Sequence, residues 1–115
     1  MTTDEKLEYQ ALRRLSEGPV ASQRTLAESL GISLGRANYV VRALVSRGLV
    51  TMKNVRSNNN RLGYVYVLTP KGISEKALLT RSFLARKMAE YDRLQKEIDA
   101  LALEAGVSDV RVLAG

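Results

Sequence analysis

The sequence predicts a mainly α-helical fold with one small β-hairpin and one long C-terminal helix. Apolar residues recur at helical spacing in three segments, and each segment ends at a glycine: Gly18, Gly31 or Gly48. From Leu49 the apolar spacing changes to two, which is typical of strands. Residues 73–105 contain neither proline nor glycine, which favours one long helix.

The first helix is expected to begin at Thr3 or Asp4 and to end at Glu17. Gly18-Pro19 follows directly and stops a helix sharply. The apolar face of this helix comprises Leu7, Ala11, Leu12 and Leu15.

Two further helices follow, separated by a very short turn. The second is expected to start after the N-cap Ser22 and to stop at Gly31. The third is expected to start after the N-cap Ser33 and to stop at Gly48, a residue that suits a left-handed helix end. Their apolar residues are Leu26, Ala27 and Leu30 in the second helix, and Ala37, Val40, Val41, Leu44 and Val45 in the third.

A β-hairpin is expected next, with strands at Leu49–Val55 and Tyr64–Leu68. Alternation places Val65 and Val67 on the face opposite to the two tyrosines of the second strand. Residues 56–63 between the strands are mostly polar turn-formers, so they predict an exposed tip.

Thr69-Pro70 predicts the start of the last helix, with Thr at the N-cap and Pro at the first helical position. This helix is expected to run from about Pro70 to Ala105, before Gly106. Residues 107–115 suit either a short packed segment or a loose tail. The chain is thus expected to comprise a domain at 1–72 and a long helix with its tail at 73–115.

The spacing around Gly31 is that of a helix-turn-helix. Ala27 supplies the small residue that two closely crossing helices need, and Gly31 permits a sharp turn with positive φ. Val40 is expected to pack back onto the second helix. Three helices followed by a hairpin is the order of a winged helix-turn-helix. The alternative is a helical hairpin without a role in DNA binding.

The positive charge is concentrated in the middle of the chain. The net charge is +6, yet residues 18–72 alone carry +7, with Glu28 as their single acidic residue. Residues 73–115 are neutral overall and residues 1–17 carry −1. This concentration predicts a polyanionic partner, since phosphate neutralisation releases counterions. A surface that merely keeps the protein soluble is the alternative.

The third helix is the expected recognition helix, which enters the major groove of double-stranded DNA. Arginine can form two bonds to guanine, and asparagine can pair with adenine. Arg47 lies nearer the helix end and could simply complement the helix dipole. The candidate DNA-contacting residues of this segment are Ser33, Gly35, Arg36, Asn38, Tyr39 and Arg42.

The hairpin is the expected wing, whose arginines could reach a minor groove. No acidic residue occurs between Lys53 and Lys71. The asparagines of the tip could equally serve the turn alone, because asparagine tolerates positive φ. The candidate DNA contacts of the wing are Lys53, Arg56, Asn60 and Arg61.

The segment from Ser22 to Gly72 resembles the MarR family of bacterial winged-helix regulators. The resemblance rests on S-Q-R-T-L-A-E-S-L-G-I-S, V-V-R-A-L-V-S-R-G-L-V and N-N-N-R-L-G-Y-V-Y-V-L-T-P-K-G. The whole chain is similar to the small subgroup associated with exopolysaccharide (EPS) gene clusters. The resemblance implies a transcription regulator that binds DNA as a dimer, with repression as its default mode.

The chain departs from the family pattern in two places. The family often has an aspartate two residues before its wing arginine, where this chain has Asn59. Family members are often longer and form a pocket for small phenolic ligands, so that pocket is not carried over. Whether an effector binds is left open.

The long helix is the expected dimerisation element. A heptad with Tyr91 at position a is clean for about two heptads, and a lone winged domain is too small to cover a helix of roughly 50 Å. Packing within one chain is the alternative. The expected dimerisation residues are Phe83, Leu84, Met88, Tyr91, Leu94, Ile98 and Leu101.

An enzyme is not expected, because the chain lacks cysteine and histidine and no catalytic cluster is evident. No cofactor or metal is expected. The N-terminus has no signal-peptide pattern and no apolar run is long enough to cross a membrane, which predicts a cytoplasmic protein. The sequence therefore predicts a homodimeric regulator that binds a pseudo-palindromic operator. A protein-interaction module that has lost DNA binding is the second hypothesis.

Overall fold

The structure is a computed structural model that describes residues 2–56 and 62–107. The chain divides into two compact units, Met1–Leu79 and Thr80–Gly115. Its elements, in chain order, are α1 (Thr3–Ser16), α2 (Gln23–Leu30), α3 (Leu34–Ser46), β1 (Val50–Arg56), β2 (Leu62–Leu68) and α4 (Pro70–Ala105). The predicted fold, mainly α with a hairpin wing and a long C-terminal helix, is confirmed.

Local capping sets the starts of α2 and α3, as predicted. The Ser22 hydroxyl accepts from the backbone N–H of Thr25 at 3.0 Å, and the Ser33 hydroxyl accepts from that of Arg36 at 3.2 Å. Gly31 ends α2 with φ of 68°, in the left-handed region that glycine adopts without strain. The two helices are thereby joined by the tight turn that a helix-turn-helix requires.

The two strands form an antiparallel hairpin that runs from the pair Val50–Leu68 to the pair Arg56–Leu62. The register places Val65 opposite Lys53, and the tyrosines lie on the other face, as predicted. Both strands extend further toward the tip than predicted, to Arg56 in β1 and from Leu62 in β2. β1 also begins one residue later than predicted, at Val50.

Leu49 is not part of the strand, because its backbone serves the connection instead. Its N–H donates to the Leu44 carbonyl at 2.9 Å, and its carbonyl accepts from Thr69 N–H at 3.0 Å. Leu49 therefore links the end of α3 to the start of α4.

The core of the first unit lies between the three short helices and the base of the hairpin. The predicted apolar faces are confirmed, with one exception in α3. Val45 is 43% exposed and lies next to the C-terminal end of α3. The buried core comprises Leu7, Ala11, Leu12, Leu15, Val20, Leu26, Val40, Val41, Leu44, Leu49 and Val50.

The start of α4 is attached to the end of α3 through Thr69. The Thr69 hydroxyl accepts from Gly72 N–H at 3.0 Å, as predicted for an N-cap, and donates to the Gly48 carbonyl at 2.6 Å. Gly72 is buried, and a Cβ at this position would overlap the carbonyl of Leu49. The first turn of α4 is therefore set closely against the connection between α3 and β1.

The second unit is described as the continuation of α4 up to Ala105, followed by Gly106 in the left-handed region. Five of the residues predicted to mediate dimerisation are more than half exposed: Leu84, Met88, Tyr91, Leu94 and Leu101. Phe83 and Ile98 are partly buried within the chain. Within the described ranges, no helix combines the length and apolarity that a membrane span needs.

Candidate nucleic-acid interface

The outer face of α3 carries the predicted recognition residues. Gly35, Arg36 and Arg42 are exposed, and Tyr39 is 61% exposed. They lie opposite the buried residues of the helix because the 3.6-residue period separates the two faces. A shallow groove of about 420 Å³ crosses this face, lined by Asn38, Tyr39, Arg42, Ala43 and Ser46. The face therefore presents donors and an aromatic ring to solvent.

Asn38 lies at the edge of this face and is only partly exposed. Its side-chain amide donates to Oε1 of Gln23 at 3.0 Å. The Gln23 amide in turn donates to the Tyr66 hydroxyl at 3.3 Å. Asn38 is thus held by a neighbouring helix, whereas no described residue holds Arg42 in this way.

Ser33 stands at the N-terminus of α3, where its hydroxyl accepts from the backbone as the cap. The Ser33 hydroxyl therefore caps α3, and its predicted contact with DNA stays a prediction. An uncompensated helix N-terminus carries partial positive charge and favours an anion such as a phosphate.

The wing residues Lys53 and Arg56 are both exposed on β1. Because they are three residues apart in a strand, their side chains lie on opposite faces of the hairpin. Arg56 shares a face with Tyr66, whose partner across the ladder is Met52. Asn60 and Arg61, the other two predicted wing contacts, lie outside the described residues.

The exposed basic side chains of the middle segment differ in whether an acidic residue neutralises them. Among the described residues, no carboxylate lies within ion-pair distance of Arg24, Arg36, Arg42 or Lys53. Their charge is therefore available to a polyanion.

Arg47 is different, because two carboxylates neutralise it. Its guanidinium contacts Glu8 at 2.7 Å and Glu75 at 3.4 Å. The Lys71 ammonium donates to the Arg47 carbonyl at 3.0 Å, at the C-terminal end of α3. Arg47 therefore connects α1, α3 and the start of α4, a role the sequence did not predict.

Two residues of this region were missed by sequence reasoning, Gln23 and Tyr66. Gln23 is the first residue of α2, immediately after the cap Ser22 and at the end of the helix away from the turn to α3. A polar side chain at the first position of α2 was the signal that could have identified Gln23. For Tyr66, no signal beyond strand alternation was available, because its hydrogen-bond partner Gln23 lies 43 residues away in the sequence.

The described residues offer no group of three or more acidic, histidine or cysteine side chains that could hold a metal ion.

Residues 4–51 match a protein family described as winged helix-turn-helix DNA-binding. No curated protein matches the sequence. Several solved structures resemble it in fold. A PadR-like transcriptional regulator from Bacillus cereus is 19% identical, with a TM-score of 0.68 over 77% of this chain and 91% of that one.

Two further solved structures are of longer regulators, and they resemble this chain with lower TM-scores. The adhesin competence repressor AdcR from Streptococcus pyogenes is 21% identical, with a TM-score of 0.58 over 99% of this chain and 78% of that one. Staphylococcus aureus MarR, solved with salicylate and kanamycin, is 19% identical, with a TM-score of 0.52 over 85% of this chain and 69% of that one. The geometry and the comparisons together show a winged helix-turn-helix, the fold that this chain shares with PadR-like and MarR regulators.

Proposed function

We propose that the protein is a transcription regulator that binds double-stranded DNA in a sequence-specific manner. The observation that carries this proposal is the outer face of α3, where Arg36, Tyr39 and Arg42 are exposed and no carboxylate of the described residues neutralises the two arginines. This face belongs to a winged helix-turn-helix, and α3 is the helix that such a fold inserts into the major groove. The function is regulatory rather than enzymatic.

The residues divide into base-reading and phosphate-binding groups. Arg36 and Arg42 have the two-pronged guanidinium that suits guanine O6 and N7. Tyr39 can donate to a phosphate or lie against a thymine methyl group. Arg24, at the start of α2, and Lys53, on the wing, are exposed cations suited to backbone phosphates.

A homodimer is the proposed active form. The exposed apolar residues of α4, spaced at a and d positions of a heptad, need a partner to remove them from water. A second copy of α4 carries apolar residues at the same spacing, so the two stripes can pack against each other. Two recognition helices then reach successive major grooves, so the operator is expected to be a pseudo-palindrome.

A narrower assignment is also proposed, that the protein represses exopolysaccharide genes as a MarR-family member. It is supported by the sequence resemblance over residues 22–72, above all by the L-T-P-K-G end of the wing. The fold itself is common to PadR-like and MarR regulators. The target genes therefore need an experimental test.

The test is a gel-shift assay with the promoter duplex beside the protein's own gene, with an unrelated duplex of equal length as competitor. We expect a retarded band that the unlabelled promoter removes at a lower concentration than the unrelated duplex does. Failure to shift any duplex would favour the protein-interaction module. That alternative draws on the exposed wing residues Met52 and Tyr64.

A further inference from the structure

A chain of two hydrogen bonds connects the wing to the recognition helix. Asn38 of α3 donates to Gln23 of α2 at 3.0 Å, and Gln23 donates to the hydroxyl of Tyr66 in β2 at 3.3 Å. All three side chains are partly buried. We call these three residues the Gln23 network, and they join three elements that the sequence separates by 15 and 43 positions.

The wing end of the Gln23 network is fixed by the backbone. Tyr66 pairs with Met52 on one side, within the hairpin. On its other side its N–H donates to the Val20 carbonyl at 2.8 Å, and its carbonyl accepts from Val20 N–H at 3.0 Å. Its ring also packs against the core. The phenol oxygen is therefore a fixed point that holds the Gln23 side chain beside Asn38.

The network determines which groups Asn38 presents to a ligand. An asparagine amide has two N–H donors and one carbonyl acceptor. Gln23 Oε1 takes one of the donors, and it can do so only when the Asn38 nitrogen faces Gln23. One N–H and the carbonyl Oδ1 are then left for another partner.

One donor beside one acceptor matches the major-groove edge of adenine, which offers N7 as acceptor and N6–H as donor. A rotated amide would direct its carbonyl at Gln23 and leave two donors, which suit the two acceptors of guanine. A freely rotating Asn38 could therefore read either purine.

We propose that Gln23 is a specificity-determining positioning residue, which orients the Asn38 amide toward adenine through the anchor on Tyr66. This inference rests on the proposed function, since it assumes that α3 reads bases in duplex DNA. It adds a residue outside the recognition helix to those that set the operator sequence. It also makes the base preference at this position depend on the position of the wing strand β2, which carries Tyr66.

The experiment is an in vitro selection from a duplex DNA library with a randomised central segment, carried out with the full chain and its variants. We expect the wild type to enrich a motif with adenine at one position of each half-site, and Asn38→Ala to lose that preference. Gln23→Ala should lower the preference for adenine at the same position by roughly tenfold, the scale of one bidentate contact. Affinity for non-specific duplex should not change.

Two further variants keep the proposal testable even where Gln23→Ala disturbs folding. Gln23→Glu accepts from Asn38 N–H and from the Tyr66 hydroxyl, so it should retain the adenine preference while binding all duplexes more weakly. Tyr66→Phe keeps the ring and removes the anchor, so it should reduce the same preference. Arg24→Ala, the neighbouring exposed cation, is the control that should weaken all duplexes without altering the motif.

The outcomes separate this inference from the proposed function. A wild-type protein that enriches no sequence and binds no duplex would contradict the proposed function itself. Suppose instead that the wild type enriches a motif and that Gln23→Ala and Tyr66→Phe enrich the same motif unchanged. This result would overturn the role of Gln23 and leave the proposed function intact. A motif in which the base preference at every position is unchanged by Asn38→Ala would also overturn the role of Gln23.

Discussion

At the scale of single residues, neighbouring polar side chains of α3 have different roles. The helical period alone predicts that Arg42 is exposed, because it lies opposite Ala37, Val41 and Leu44. The same period could not predict the pairing of Arg47, whose partners are 39 and 28 residues away in sequence. Local pattern thus identifies the face of a helix, and tertiary contacts decide which of its side chains are free.

Arg42, within α3, can be compared with Arg47, the C-cap residue of the same helix. Arg42→Ala should cost about 1–3 kcal/mol of binding free energy on the specific operator and reduce discrimination between sites. Arg47→Ala removes the same charge from an ion-paired side chain, so operator affinity should change little. The measurement is fluorescence anisotropy with operator and non-specific duplexes.

Lys53→Ala is the control for a phosphate contact and should weaken all sequences about equally. If Arg42→Ala also weakens all sequences equally, its assignment to base reading is wrong.

At the scale of elements, the sequence predicts helices better than strands. Caps and stops are local, so Ser22, Ser33 and Gly31 set the helix ends where expected. Strand ends depend on a partner, and the hairpin pairs up to Arg56 and Leu62, beyond the predicted limits. The Gln23 network was not predictable for the same reason, since its bonds join distant segments.

The joint between β2 and α4 gives a test at this scale. Thr69→Ala removes a hydroxyl that caps α4 and also donates to the Gly48 carbonyl. The free energy of unfolding should fall by about 1–2 kcal/mol, as for other lost N-caps. Urea denaturation followed by circular dichroism measures it.

Thr69→Ser keeps the hydroxyl and is the matched control, expected to stay close to wild type. Equal losses in the two variants would show that the methyl group, rather than the cap, stabilises the joint.

At the scale of the whole molecule, the proposed DNA binding depends on charge and on assembly. The middle segment carries +7, while residues 73–115 are neutral overall and expose apolar side chains along α4. The concentration of charge is evident from the sequence alone, and the apolar stripe of α4 was predicted from its heptad spacing. Which partner would cover α4 could not be predicted from the sequence, because an apolar stripe is compatible with any surface of matching shape.

Assembly is tested by a charge placed in the predicted seam. Ile98→Asp should give a monomer by light scattering, because each apolar side chain of the seam contributes about 1.5–3 kcal/mol when buried. Circular dichroism should remain helical, and operator affinity should fall strongly.

Leu103→Asp is the matched control, since Leu103 is 84% exposed and lies at heptad position f, away from the seam. A dimeric Ile98→Asp protein would place the contact elsewhere. A wild-type protein that is monomeric at micromolar concentration would contradict the dimer.

The most direct test of the central claim, that the basic middle segment binds DNA phosphates, is the salt dependence of duplex affinity. A dimer with about 8–12 phosphate contacts predicts a slope of roughly −7 to −11 in a plot of log affinity against log salt concentration. A slope near zero would contradict duplex binding by this segment.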